Sequence, residues 1–189
     1  MVIRSSLLVL VSLTAIAAAQ PAVTASLPAE SEPAAYVQVG ALAGVVGDDV
    51  SVEAAVAGGV RLAHTPLWVH AGFLEGESAV FFVDRVTKRD QARLGLEGRG
   101  CRVRGIVCVS AGVDGAVLHT RSTGTGAGTW DIRPSDPVMT SSATTALVIP
   151  RLGVDFGGRH LRYGPAVEVA LDRHGYASFE VVQAVGWHF

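Results

Sequence analysis

The sequence contains six histidines, and two groups of residues bring a histidine close to a serine hydroxyl: His119 with Ser122, and Asp172 with His174 and Ser178. Hydrolysis by a serine needs its hydroxyl within reach of a base that a carboxylate orients. Neither group has a spacing that enforces this, since no histidine stands in a His-x-Ser arrangement and no Gly-x-Ser-x-Gly turn occurs. The run Gly124-Thr125-Gly126-Ala127-Gly128 lacks the lysine of a phosphate loop and the spacing of a dinucleotide fingerprint. These residues read as polar loop surface. No catalytic residue and no cofactor is expected, and a lipid-modifying enzyme ranks last among the alternatives.

The N-terminus sets the compartment. Arg4 precedes an apolar run from Leu7 to Ala19 that closes on Ala17-Ala18-Ala19. The run is short for a spanning helix and ends in the small residues that a signal peptidase needs, so residues 1–19 read as a cleaved signal peptide. Residues 20–35, with Pro21, Pro28 and Pro33, follow neither hydrophobic period and read as a flexible periplasmic lead-in. Losing Arg4 takes the cations from 15 to 14 against 17 acids, a formal charge of 14 − 17 = −3. That balance excludes a nucleic-acid footprint. In an oxidising compartment, Cys101 and Cys108 at the two ends of a short connection are expected to form a disulfide. Their spacing is too long for C-x-x-C and no histidines cluster with them, so no metal is expected.

From Tyr36 to Phe189 the pattern is strand-like. Val37, Val39, Ala41, Ala43 and Val45 share one face, opposite Tyr36, Gln38, Gly40, Leu42 and Gly44. The same alternation returns with Val52 to Leu62, Leu67 to Phe73, Ala92 to Leu96, Val107 to Val113, Ala146 to Val154, Leu161 to Val169 and Phe179 to Phe189. About eight strands result, each with one apolar face. The other face is rich in Gly, Ala and Ser with isolated charges, which suits the interior of a narrow closed barrel. No second run approaches the length of a spanning helix, and a closed barrel is the other way to satisfy every backbone group in a bilayer. The predicted fold is all-β: a closed antiparallel up-and-down transmembrane β-barrel over residues 36–189.

This phase places Glu53, Arg61, Arg93, Glu97, Asp114, Arg151, Arg162, Glu168 and Glu180 in the lumen. Charges confined this way must pair. A salt-bridge network that plugs the barrel is the primary reading, and a narrow pore for small solutes is the alternative. A soluble periplasmic barrel binding an apolar ligand is a further one, with the Val-rich faces turned inward. Aromatics are expected in two girdles, with Tyr36, Trp68, Tyr163, Trp187 and Phe189 at one rim and Phe73, Phe81, Phe82, Tyr176 and Phe179 at the other. Outer connections are expected at Asp48-Asp49, Glu75 to Asp90, His119 to Ser142 and Asp172 to Gly175. The loop 119–142, which carries Trp130, is the expected surface for an extracellular partner.

The chain ends with Val181, Val185, Trp187 and Phe189 in alternating phase. This ending resembles the C-terminal sorting signal of outer-membrane β-barrels, and residues 36–189 are similar to the small eight-stranded barrels of the outer membrane protein A-like family. The resemblance implies residence in the bacterial outer membrane, contact with its lipid, and recognition of the last strand by the barrel-assembly machinery.

Overall fold

The computed structural model describes residues 33–46, 49–63, 65–80, 83–102, 106–128, 137–175 and 177–189. The expected signal peptide therefore lies outside the described residues, as do Asp48, Phe81, Phe82, Trp130 and Tyr176. Eight strands follow one another: β1 Ala35–Val46, β2 Asp49–Arg61, β3 Leu67–Val80, β4 Val83–Arg102, β5 Val107–Gly128, β6 Met139–Gly157, β7 Leu161–Leu171 and β8 Ala177–His188. Each pairs antiparallel with the next, and β8 returns to β1 to close the barrel. Closure is continuous from Tyr36↔His188 to Val46↔Ser178. Ala34 and Ala35 both donate to the Phe189 carbonyl at 2.9 Å, so no edge remains beside either terminus.

The alternation resolves as the sequence phases it. Val39, Val52 and Leu94 point outward and are 60–62% exposed. Tyr36, Leu42, Ile149, Glu97 and Glu168 point inward and are buried. Eight strands enclose a space that side chains themselves fill. A tight β2–β3 turn lies at the end where β1 begins and β8 finishes. Thr65 N–H donates to Leu62 O at 3.1 Å, with Ala63 in the left-handed region at φ 46°. At the far end the Asp172 to Gly175 turn is formed by Gly175 N–H donating to Asp172 O at 3.1 Å, with Gly175 at φ 76°.

The structure corrects three expectations about the connections and rims. Glu75 to Asp90 is not a loop, because Glu75↔Asp90 and Glu77↔Lys88 are cross-strand pairs of the β3–β4 hairpin. His119 to Ser142 is shorter than expected, since β5 continues to Gly128 and β6 begins at Met139. In both places a strand passes beyond the apolar belt and exchanges Val and Leu for charged and hydroxyl residues while its ladder continues. Polarity marks water there, not the end of pairing. Thirdly, Phe73 sits at the middle of β3 and not at a rim, whereas Tyr36 and Trp68 face the lumen as their phase requires, and Phe156, Tyr163, Trp187 and Phe189 are exposed at the end where β1 begins and β8 finishes.

Cys101 and Cys108 face each other in the β4–β5 ladder and form the expected disulfide. It closes a short loop, for which chain entropy gives about 2.5 kcal/mol of stabilisation. We predict that replacing both cysteines by serine lowers the unfolding free energy by that amount in a urea titration of detergent-folded protein, with the barrel retained.

Candidate functional site: the charged lumen

The inward residues of this barrel do not pair at random. In three rows, two ionisable side chains that stand two strands apart at the same level have a glycine between them. Glu53 on β2, Gly76 on β3 and Arg89 on β4 lie in one cross-strand row, and Arg89 Nε stands 3.1 Å from Glu53 Oε1. His70, Gly95 and Asp114 form a second row, with His70 Nε2 2.8 Å from Asp114 Oδ1. Glu97, Gly112 and Arg151 form a third, with Arg151 Nη1 3.8 Å from Glu97 Oε2. Adjacent strands are spaced about 4.8 Å apart, so groups two strands apart can meet only if nothing rises between them. A Cβ on Gly76 would stand 2.6 Å from Glu53 Cα, and one on Gly112 would stand 2.6 Å from the Leu96 carbonyl oxygen. The Asp114 carboxylate occupies the space over Gly95.

The first and third rows join into one chain of alternating sign. Glu53 meets Arg89, and Arg89 Nη2 reaches Glu180 Oε1 at 3.5 Å. Glu180 Oε2 lies 3.3 Å from Arg93 Nη2, and Arg93 pairs with Glu168. Glu168 Oε1 stands 3.8 Å from Arg151 Nε, Arg151 meets Glu97, and Glu97 Oε1 accepts from Arg99 Nη2 at 2.9 Å. Arg99 then reaches Asp155 Oδ2 at 3.4 Å. Every carboxylate in the interior of the chain lies between two guanidinium groups, which is how ions removed from water are compensated. Neutral groups take up further valences. Gln91 Oε1 accepts from Arg93 at 2.8 and 3.1 Å, and Ser178 Oγ donates to Glu180 Oε1 at 3.0 Å.

At the end where β1 begins and β8 finishes the chain meets an aromatic layer. The Tyr36 ring stacks on His188 at 5.3 Å and tilts against Trp68 at 5.5 Å. The Arg99 guanidinium lies 5.2 Å from the Tyr36 ring centre and 5.3 Å from that of Trp68, a cation–π arrangement. Tyr36 covers Gly59, its cross-strand partner, where an added Cβ would be 2.5 Å from Tyr36 Cε1. Beside this layer Arg162 donates to Cys108 Sγ.

Of the nine charges assigned to the lumen from sequence, Glu53, Arg93, Glu97, Arg151, Glu168 and Glu180 belong to this chain, and Asp114 pairs with His70. Arg162 lies at the disulfide, and Arg61 lies at the β2–β3 turn, where its Nε donates to Thr65 O at 2.9 Å. Sequence reasoning missed Arg89, Arg99, Asp155 and His70. All four keep the inward parity of their strands. Arg89 fell in an assigned loop, and Arg99 and Asp155 lay past the assigned ends of their segments. The possible hydrolytic groups are not assembled. His119 points outward to Thr144 Oγ1 at 3.0 Å, while Ser122, on the opposite face, bonds Thr87 at 2.7 Å. Asp172 accepts from the His174 backbone N–H at 2.7 Å, and Ser178 is engaged by Glu180. Among the described residues no group of three or more His, Cys, Asp or Glu is placed to hold a metal ion.

No protein-family model and no curated sequence matches the chain. Solved structures do share its fold. Ail, the attachment invasion locus protein of Yersinia pestis, whose structure was solved with the heparin analogue sucrose octasulfate, aligns with a TM-score of 0.56 at 11% identity over 84% of this chain and 99% of its own. Neisserial surface protein A gives 0.56 at 10% identity over 82% and 96%. The N-terminal β-barrel domain of Pseudomonas aeruginosa OprF gives 0.51 at 11% over 82% and 97%. The chain has the closed eight-stranded barrel fold of these small outer-membrane proteins.

Two substitutions test the lumen. Arg93→Met leaves Glu168 and Glu180 short of a counter-charge and is expected to cost about 3–5 kcal/mol. Gly95→Val drives a side chain into the His70–Asp114 pair and is expected to cost about 1–3 kcal/mol. Urea unfolding of the detergent-folded barrel, followed by tryptophan fluorescence, reads both. An unchanged midpoint for Arg93→Met would show that the chain of charges does not hold the barrel together.

Proposed function

We propose that this protein is an integral outer-membrane barrel with a lumen closed by paired charges and a structural or surface-interaction role. In this reading residues 1–19 direct export and residues 20–35 lie in the periplasm. The last strand, with Val181, Val185, Trp187 and Phe189, engages the barrel-assembly machinery. The observation that carries the reading is the inversion of the usual burial pattern. Val, Leu and Phe side chains point outward and are exposed on all eight strands, while Arg89, Arg93, Glu53, Glu97, Glu168 and Glu180 are buried inside. A soluble barrel would leave an apolar area far beyond the few hundred Å² that soluble monomers expose. Its ligand-binding version is disfavoured for the same reason, because the Val-rich faces point away from the interior. Lipid satisfies the exterior, and the alternating charges satisfy the interior.

A plug is favoured over a pore by the pairing itself. Ions or solutes moving along the lumen would have to displace guanidinium groups that each hold two or more partners. The surface proposed for an extracellular partner, residues 119–142, includes the far ends of β5 and β6, which with β4 stand beyond the belt.

Expressed in full in a Gram-negative host, the protein is expected in the outer-membrane fraction, with an unboiled form that migrates faster than the boiled one on a detergent gel. Recovery in the soluble periplasm would overturn the proposal. Leu94→Arg, in the middle of the belt, is expected to destabilise the lipid-inserted barrel by about 2–4 kcal/mol, whereas Lys88→Ala stays within about 0.5 kcal/mol. In planar bilayers the purified protein is expected to show no steady conductance steps, and reproducible steps would favour the narrow pore.

A further inference from the structure

The disulfide between Cys101 and Cys108 is asymmetric. Its two sulfurs come from facing residues of the β4–β5 hairpin, yet Cys101 is exposed and Cys108 is fully buried. The buried sulfur carries a cation beside it, since Arg162 of β7 donates to Cys108 Sγ. Arg162 reaches it across β6, where Asp155 is the cross-strand partner of Cys108. A carboxylate opposes a negative sulfur beside it, and here the Asp155 charge is met by Arg99, with Oδ2 3.4 Å from Arg99 Nη2.

Thiol–disulfide exchange asks two things of a disulfide: one sulfur that an incoming thiolate can reach, and a second that leaves as a stabilised thiolate. A cation beside a cysteine stabilises its thiolate. Cys101 meets the first requirement and Cys108 the second. A disulfide that only ties a turn needs neither. We propose that Cys101 and Cys108 form a thiol-exchange site for a dithiol, with Cys101 as the sulfur attacked and Cys108 as the leaving thiolate held by Arg162. One thiolate of the dithiol attacks Cys101 Sγ, the bond between the cysteines breaks, and its electron pair stays on Cys108 while a mixed disulfide to Cys101 forms. The second thiolate of the dithiol then attacks its own partner sulfur in that mixed disulfide and releases Cys101. The dithiol ends oxidised by two electrons to a disulfide, the two cysteines end reduced, and the two protons that the dithiol lost pass through solvent to the cysteine sulfurs.

The fold permits this step without unfolding. Only Arg102↔Val107 lies beyond Cys101↔Cys108 in the described β4–β5 ladder, which continues without a break from there to Arg85↔Gly124. Gly157 N–H donates to the Ile106 carbonyl at 3.0 Å, so β5 is also held to β6 beside the cysteine. Cys108 therefore keeps its place next to Arg162 after reduction. The chemistry stands apart from the outer-membrane reading, which adds that this hairpin faces the periplasm, a compartment in which disulfides form and exchange.

Full-length oxidised protein is folded in detergent, shown to be heat-modifiable, and given a brief pulse of glutathione at mildly alkaline pH. The reaction is quenched in acid, free thiols are alkylated with N-ethylmaleimide in urea, and the two cysteines, which trypsin separates by cutting after Arg102, are read by mass spectrometry. Glutathione is expected on Cys101 and the alkyl group on Cys108, with the heat-modifiable form retained. Glutathione mainly on Cys108 or on both alike overturns the proposal, and so does a reaction that begins only when urea unfolds the barrel. The rate of reduction by dithiothreitol is then compared among Arg162 variants that keep the heat-modifiable form. Arg162→Met is expected to react about threefold or more slowly, as a leaving thiolate without its cation implies, and Arg162→Lys to recover most of the rate. Equal rates in the wild type and both variants overturn the proposal. Reduced thioredoxin separates the two sources of dithiol: reduction by it supports a dithiol protein as the partner, and reduction by dithiothreitol alone supports a small dithiol. Failure to obtain the heat-modifiable form at all counts instead against the outer-membrane reading.

Discussion

Inside an eight-stranded barrel the side chains of opposite strands meet, and whatever faces inward has to fill the space and satisfy itself there. That constraint governs the rest of this structure. Five carboxylates and four guanidinium groups occupy the lumen as one alternating chain from Glu53 to Asp155. Removing an ion from water costs several kcal/mol, and only close opposite charges with further hydrogen bonds offset it. The alternation supplies the opposite charge at every interior link. Glycine makes it possible, since Gly76, Gly95 and Gly112 leave the gaps through which groups two strands apart make contact. A glycine in a strand weakens the strand locally, and here that loss accompanies the cross-lumen pair above it.

The exterior follows from the interior. With charges committed to the lumen, the outward phase within the belt is left mainly to Val, Leu, Ala and aromatic residues, and so apolar a belt needs a solvent other than water. Strand closure by β1 and β8 is the third condition, because an open edge in hydrocarbon would leave unpaired backbone groups that nothing there could satisfy. Lumen, belt and closure are thus one solution to one problem. Weakening any of them exposes groups that the other two cannot accommodate.

Above the belt the constraint lapses. Water satisfies exposed backbone, so strand lengths are free to differ there. β4, β5 and β6 run to 20, 22 and 19 residues, while β7 and β8 stop at 11 and 12. The resulting fin carries charges and hydroxyls on surfaces that would be forbidden a few residues lower. In this region sequence can change without disturbing the lumen.

Much of the fold was legible in the residues themselves. A period of two fixes which side chains share a face, and a run such as Val37 to Val45 opposite Tyr36 to Gly44 holds in any register, so the strand number and part of the inward set could be read directly. The meaning of Gly76, Gly95 and Gly112 could not. It depends on which residue stands across from which, and register is set by turn geometry and by the closure of β8 on β1, neither of which has a local signature. The strand ends were obscured for a related reason. Where a strand leaves the apolar belt its composition turns polar while its hydrogen bonds continue, so Arg89 looked like loop although it pairs deep in the lumen. The sequence by itself determined the alternation, the two faces and the aromatic ending. Only the tertiary structure decided the partners, since a charge two strands and many residues away becomes a neighbour through folding alone.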